Sequence, residues 1–328
     1  MRMKLLSKSR AVLFASIAVM FAGGAVAAAE DEYPSRPIRM VVPVAAGGWG
    51  DATTRIIAQR LGEELGQTVI VENRTGAGGL VGIRYTKSER PDGYTLLATG
   101  GTIAIQQALS RGSEYDALKD FVGIGPMARS PALIIAGADS QYKTLSELLA
   151  GAKANPNEIS YGSAGVGTTT HIAAEMLLRR AGVQMLHVPY KGNGAAMPDV
   201  VAGRVSFMVD AYGSSASNIS GGRLLGLAAT AEESMKVLPN VPTAASQGVP
   251  DFNYYYWLGV FAPAGTPSGV VDKLSAALKT TLADPKIKAR LQSDGTETYY
   301  LTPPEFTTFL RKEVEDTSEL IESLNLAK

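Results

Sequence analysis

The strongest constraint on this chain is a recurring order: an apolar run of strand length, a glycine-rich junction, then a segment with helical periodicity. IRMVVPV (Ile38 to Val44) leads into AAGGWGD. From Asp51, placed as the N-cap, Ile57, Leu61 and Leu65 fall on one helical face. TVIVEN (Thr68 to Asn73) runs into Gly76-Ala77-Gly78-Gly79, and YTLLAT (Tyr94 to Thr99) into Gly100-Gly101-Thr102. About one hundred residues later the order returns. EISYGSAGVGTTTHIAAEMLLRRAG reads as strand, loop and helix, followed by the strand QMLHVPY and Lys191-Gly192-Asn193-Gly194. Gly48 precedes Gly76 by 28 residues and Gly167 precedes Gly192 by 25, with Arg74 and Lys191 just before each later glycine. Strands alternating with helices in this way predict an α/β architecture with mostly parallel sheets flanked by helices, in two similar lobes.

FVGIGPMARSPALIIAG (Phe121 to Gly137) is a long extended segment, and TLSELLAGAKANP after it opens with Thr144 and Glu147 at capping-box spacing. RVSFMVD and RLLGLAAT read as strands, and the Pro- and Gly-bearing stretch beyond them leads to YYYWLGVFAP, which crosses back to the first lobe. PSGVVDKLSAALKTTLAD, PKIKARLQSDG and PPEFTTFLRKEVEDTSELIESLNLAK are helical, with Pro267 and Pro304 near helix starts, where a missing N–H is harmless. The expected organisation is lobe 1 from residues 30–130 plus 255–328, lobe 2 from 131–254, and a hinge of two crossover strands.

Residues 1–29 read as a signal peptide. Arg2, Lys4, Lys8 and Arg10 precede the 14-residue apolar run AVLFASIAVMFAGG, and small residues place cleavage after Ala27 or Ala29. That run falls short of the roughly 20 residues a spanning helix needs. No later stretch could span a bilayer, and a chain with no cysteine has no site for an amino-terminal lipid anchor. The mature chain is therefore expected in the periplasm, without stable membrane insertion. Losing four of the 31 basic residues against 31 acidic ones leaves it at about −4, with no basic face for nucleic acid. With no cysteine and only His171 and His187, a thiolate cluster, a disulfide framework and a multi-histidine metal cage are excluded, and no cofactor is called for. The lack of ATP outside the cytoplasm weighs against kinase and ATPase readings.

The glycine loops fail the catalytic and nucleotide motifs they superficially approach. GSAGVGTT (Gly162 to Thr169) has P-loop glycine spacing but places Thr168 where the phosphate-binding lysine is required. The Gly76 cluster needs a third glycine at Val81 to match a dinucleotide fingerprint, and has it at Gly82 instead. Ser163 lacks the glycine at position 161 that a nucleophile elbow needs, and the two histidines show no HExxH spacing and no obvious carboxylate partner. What survives is anion binding by helix amino termini. Unpaired N–H groups and the positive end of the dipole attract a carboxylate, and glycine permits close approach. One such end per lobe would grip a small carboxylate, with Thr168, Thr169, Ser163, Thr99 and Thr102 as hydroxyl donors.

Tyr33-Pro34-Ser35-Arg36-Pro37-Ile38, VVPVAAGGWGD, VENRTGAGG, RPDGYTLLATG, YGSAGVGTTTH, HVPYKGNGAAMPDVVAGRVSFMVD, LPNVPT and FAPAGTP occur in that order. Together they closely resemble the Bug-type receptors, the extracytoplasmic solute-binding proteins of tripartite tricarboxylate transporters, over nearly all the mature chain. The resemblance implies a two-lobed periplasmic-binding-protein fold of the type II kind. It implies a monomer that closes on a small organic acid, such as a di- or tricarboxylate, an amino acid or an aromatic acid, and delivers it to the membrane subunits of a transporter. No reaction and no metal are implied. Carried onto this sequence, the ligand contacts are Val44, Ala45, Ala46, Gly47, Gly48 and Trp49 with Thr99 and Thr102 from the first lobe. From the second come Ser163, Gly165, Val166, Gly167 and Thr168, with Asp210 at the same cleft edge, and ordered waters reach the distal end of the ligand.

This chain departs from similar receptors in two loops. The first, Val44 to Trp49, lacks their proline-rich, aromatic-bearing character, and the third has Ile103 and Gln106 where they often carry histidine and asparagine. Trp49 is either a gate on the ligand or packed on its own loop. Asp51 reads as a cap and His171 as a packed or capping residue. Arg74 and Lys191 read as solvated, and Tyr254-Tyr255-Tyr256-Trp257 as hinge core. Asp210, if it faces the cleft, selects ligands offering a donor, whether an amine, a hydroxyl or a bound water. Two other classes stay open at this point: a sensory partner of a membrane kinase, and a secreted small-ester hydrolase using Ser163 or Asp210.

Overall fold

A computed structural model describes residues 33–326; the signal segment and both cleavage positions lie outside them. The chain runs β1 (Ile38–Val42), α1 (Trp49–Leu65), β2 (Val69–Asn73), a 3-10 turn at Ala77–Gly79, α2 (Leu80–Lys87), β3 (Thr95–Thr99) and α3 (Thr102–Leu109). It continues with β4 (Phe121–Gly137), α4 (Leu145–Ala154), β5 (Ser160–Ser163), α5 (Thr169–Ala181), β6 (Leu186–Pro189), α6 (Asn193–Val201), β7 (Phe207–Ala211), α7 (Tyr212–Ser220) and β8 (Leu224–Ala229). It ends with β9 (Tyr255–Pro263), α8 (Ser268–Ala283), α9 (Pro285–Gln292), β10 (Glu297–Thr298) and α10 (Pro303–Ser323).

The strand order is β2-β1-β3-β9-β4-β7-β5-β6, with β8 and β10 also pairing β4. Two units of the same β-α-β-α-β grammar are therefore mirrored about a shared centre. In each, the first strand of the unit lies between the second and third and pairs with both in parallel. The connecting strands β4 and β9 join antiparallel, so each sheet is mixed, with a parallel three-stranded half. β4 explains the arrangement. Phe121 to Pro131 pairs with β9, whereas Ala132 to Gly137 pairs with β7 and β8, and register shifts between Gly123 and Gly125 and between Pro126 and Ala128 bend the strand. The lobe division we propose, 30–130 plus 255–328 against 131–254, follows this change of partners.

Both faces of each sheet are covered, which is why the strands read as nearly continuous apolar runs. Along β1, Ile38, Met40 and Val42 enter one cluster and Val41 the other; along β4, Ile134 and Ala136 face opposite to Leu133 and Ile135. Each such fully buried Leu, Ile or Val contributes about 1.5–3 kcal/mol. The stripe on α1 buries Ile57 and Leu61 fully and Leu65 in part, and Gly66 ends the helix in the left-handed conformation. Thr144 and Glu147 form the expected capping box at α4. The carboxyl-terminal helix does more than clad lobe 1. Ile321 of α10 packs with Ile105 and Ala108 of α3 and with Ile172 of α5, so this cluster spans both units.

Candidate ligand-binding cleft

The carboxyl ends of the parallel strands of the two units open into facing loops, the usual place for a ligand in open α/β sheets. In the loop after β1, Val44, Ala45, Ala46 and Gly47 are exposed, and Gly47 sits at φ +86°, where a side chain would be strained. Gly48, not Asp51, is the N-cap of α1. Asp51 lies in the first turn and reaches back, its Oδ2 accepting the Gly47 N–H at 2.9 Å. Arg55 Nε and Asn73 Nδ2 donate to its Oδ1 at 3.0 and 2.9 Å. Burial pushes this carboxyl up, but the bonds from Arg55, Gly47 and Asn73 outweigh it and hold the group below the usual carboxylate range. Asp51 thus stiffens the loop rather than facing a ligand.

Trp49 neither stacks as a free gate nor packs on its own loop. Its Nε1 donates to Thr296 Oγ1 at 2.8 Å, its ring lies 6.2 Å from that of Tyr256, and a Cβ placed on Gly213 of α7 would meet Trp49 Cδ1 at 3.4 Å. Its hydrogen bond and ring contact hold it within the first unit, and its edge abuts Gly213 of the second. Arg74 is not simply solvated either: its guanidinium stacks 3.4 Å from the centre of the Tyr85 ring and pairs with Glu72 at 2.7 Å. Lys191 is exposed as expected, and Tyr256 and Trp257 are buried.

Thr99 ends β3 and Thr102 opens α3, both buried. Thr99 Oγ1 has no hydrogen-bond partner. One turn beyond Thr102, on the same helix face, Gln106 Nε2 donates across to the Gly167 carbonyl at 3.1 Å. This cross-unit bond is buried, so Gln106→Ala strands an acceptor and should weaken ligand affinity by about 1–2 kcal/mol, roughly 5- to 30-fold. Calorimetric titration checks this; affinity unchanged from wild type would show that the bond plays no part in closure.

The loop after β5 is braced from beneath. Gly165 and Gly167 sit at φ +127° and +72°, and Val166 between them is 61% exposed at the tip. Thr168, the N-cap of α5, donates through Oγ1 to the Gly165 carbonyl at 2.7 Å, and the Ala164 N–H donates to Thr170 Oγ1 at 2.9 Å. The Gly167 N–H donates to His171 Nδ1 at 3.2 Å, and Ser163 Oγ shares a 2.6 Å hydrogen bond with His187 Nε2. The two imidazoles stack with centres 4.1 Å apart, and Tyr161 lies against His187 at 4.8 Å with its hydroxyl bonded to Glu175. Burial lowers both histidines to about 4, with mutual repulsion adding to the effect at His187, so they hold the loop as neutral rings. The carboxylate partner absent from the sequence reading is Glu175, 4.0 Å from His171 Nε2 and four residues along α5. That spacing was the available signal. Ser163 Oγ and His187 Nε2 stand at nucleophile–base distance, but Ser163 is fully buried, out of a substrate's reach.

Asp210 ends the cleft side of β7 and is 1% exposed. Burial raises its carboxyl to about 7, against the pull of the Ala211 N–H, Asn193 and the nearby Ser214 hydroxyl. Its Oδ2 has no hydrogen bond. Asn193, which sequence reasoning did not select, donates through Nδ2 to Asp210 Oδ1 at 2.5 Å. Among the described residues no group of three or more His, Asp or Glu side chains is placed to hold a metal ion.

Residues 53–326 match the family model described as the tripartite tricarboxylate transporter family receptor. Three solved structures superpose over almost their whole length. The periplasmic binding protein BugD is 34% identical, covers 90% of this chain and 100% of its own, and gives a TM-score of 0.83. A Rhodopseudomonas palustris protein with adipate is 29% identical at a TM-score of 0.84, covering 90% of this chain and 99% of its own. MatC of the same organism, with bound malate, is 29% identical at 0.82, covering 88% and 100%. The fold is that of the periplasmic binding proteins, and the similar proteins are receptors rather than enzymes. The chain belongs to the receptor family of the tripartite tricarboxylate transporters, the Bug-type solute-binding proteins.

Proposed function

We propose that this receptor captures a small di- or tricarboxylate between the loops Val44–Trp49, Thr99–Thr102 and Ser163–Thr168, and presents the closed lobes to the membrane subunits of a tripartite transporter. One observation carries the reading. Buried polar atoms with no partner, Thr99 Oγ1 from one unit and Asp210 Oδ2 from the other, lie toward the carboxyl ends of the parallel strands β3 and β7. Nearly all buried polar groups in native proteins are paired, so orphaned atoms at a cleft mark where a ligand or its waters complete the structure. The adipate and malate bound by similar receptors support a small dicarboxylate as the class. Helix amino termini after β1, β3, β5 and β6 supply the positive potential without requiring lysine or arginine. A ligand touching both units favours the closed arrangement by its differential affinity, and closure reports occupancy to the transporter.

The signal segment at residues 1–29 supports export to the periplasm, and no helix among the described residues is long and apolar enough to cross a membrane. The mature chain from residue 30 should act as a monomer. Mass spectrometry of small molecules released on unfolding, followed by thermal shift with a carboxylate panel, tests the reading. Saturation at about 100 times the dissociation constant should add roughly 2.7 kcal/mol of stability. No shift with any carboxylate, or scattering profiles identical with and without every acid that binds, would sink it.

A further inference from the structure

The second-lobe floor of the cleft carries two side chains whose unused atoms are of one chemical kind. Asp210 is the last residue but one of β7 and Asn193 opens α6. Both flank the loop after β5, because β5 lies between β6 and β7, and the Gly192 N–H donates to the Ala164 carbonyl at 3.1 Å. Asp210 Oδ1 accepts twice, from Asn193 Nδ2 at 2.5 Å and from the Ala211 N–H at 2.8 Å. That leaves Asp210 Oδ2 and Asn193 Oδ1, both buried and both without a partner. An amide oxygen is an acceptor only, as is each oxygen of an ionised carboxylate, the state Asp210 takes above about pH 7. The Ser214 hydroxyl reaches the Asp210 carboxyl and serves it in part, but the other orphan, on Asn193, still needs a donor. A ligand carboxylate brings only acceptors and satisfies neither atom.

We infer that Asn193 and Asp210 form a donor-reading subsite, which takes the hydroxyl or ammonium hydrogens of a substituted acid and so favours hydroxy or amino acids over the unsubstituted acids of the same length. This rests on the proposed cleft reading and narrows it. The discriminating power comes from burial: an acid without the donor leaves the same two acceptors unpaired, whereas the donor-bearing acid pairs them. Sites built to hydrogen-bond a ligand group reject the analogue lacking it far more strongly than apolar pockets reject a missing methylene. Asn193 is half-buried at the first position of its helix, so it can be replaced without opening the core.

Matched pairs test this by calorimetry on the mature chain at pH 8, where Asp210 is ionised: lactate with propionate, malate with succinate, 2-hydroxyglutarate with glutarate and mandelate with phenylacetate, with alanine, aspartate and glutamate as the amino counterparts. Within whichever pair binds, the substituted acid should be at least about tenfold tighter. Asn193→Leu and Asn193→Ala, each checked for unchanged melting, should narrow the preference by at least about threefold, the remainder resting on Asp210 Oδ2. Equal affinities in the wild type, or a preference for the unsubstituted acid, would overturn the subsite and leave the receptor reading standing. The reversed preference is what the Asn193 amide turned over would give, with Nδ2 facing the ligand. A preference undiminished in both Asn193 variants also overturns it. No binding by any of these acids, together with no thermal shift from the wider carboxylate panel, would overturn the receptor reading and this inference with it.

Discussion

Gly167→Val should weaken ligand binding by at least about 100-fold while the unliganded protein keeps its fold. The residue sits at φ +72°, a conformation strongly disfavoured for a β-branched side chain, and a Cβ there would lie 2.3 Å from Leu109 Cδ1 and 3.6 Å from Gln106 Nε2 across the cleft. The strain lowers stability in every arrangement; overpacking against Leu109, about 1–3 kcal/mol, and the displaced Gln106 bond, about 1 more, arise where the units touch and together reach the ~3 kcal/mol of a 100-fold loss. Close backbone approach to the ligand was the sequence reason for expecting this glycine to matter. The structure adds a second, because the new side chain wedges between α3 and α5 where the units touch. Only the part of the cost felt in the closed arrangement weakens binding, so scattering should show a larger radius with ligand present than in the wild type. Gly182→Val is the control. It has φ +65° but no atom within 4 Å of its Cβ, so it should lower melting by a similar strain and leave affinity intact. Wild-type affinity in Gly167→Val would show that neither the loop nor the wedge governs closure.

Much of the architecture was legible because its determinants are local. Ile57, Leu61 and Leu65 mark the α1 face, Thr144 and Glu147 mark the start of α4, and the extended run Phe121 to Gly137 is β4 residue for residue. Errors arose where a local pattern has two readings. A carboxylate just after a glycine loop fits both an N-cap and a first-turn residue reaching back. Asp51 is the second, because Gly48 leaves the helix in an extended conformation and the Gly47 N–H turns toward the side chain. The strands joining the units enter antiparallel, a pairing that no periodicity within one strand encodes.

The cleft was less legible, for a reason that can be measured along the chain. Gln106 meets Gly167 from 61 residues away, Trp49 meets Thr296 from 247, and Ser163 meets His187 from 24. The first two pairs share neither a helix turn nor a strand register, and the third sits on the paired strands β5 and β6, a pairing that neither strand encodes alone. The loops themselves were visible through their glycines and hydroxyls. What holds them in place depends on which elements the two-unit topology brings together, and Asn193 escaped notice because its role follows from Asp210, 17 residues on.

Asp210→Asn should change the pH dependence of folding stability more than any other single substitution in the cleft. Burial raises this carboxyl to about 7 from an ordinary value near 3.8, so between those limits the folded state holds a proton that the unfolded chain has released. Stability from the neutral side chain is therefore fully present below about pH 4 and is lost as pH rises through 7, at about 1.4 kcal/mol per pH unit and up to about 4 kcal/mol in all. The asparagine has no proton to lose, keeps an oxygen for the Ala211 and Asn193 bonds, and should be the more stable form at pH 7 and above, with the advantage vanishing toward pH 4. His171 and His187 act in the opposite sense. Their folded values near 4 lie below the unfolded value of 6.5, so stability falls as pH drops from 6.5 to 4. In the wild type Asp210 offsets one of these two proton uptakes, and in the variant nothing at that position does, so the acid limb of the stability curve should steepen by one proton. Urea unfolding at half-unit steps from pH 4 to 8 reads both effects. Parallel curves for the two proteins would mean that Asp210 is ionised in the fold, with a donor or a water already serving Oδ2.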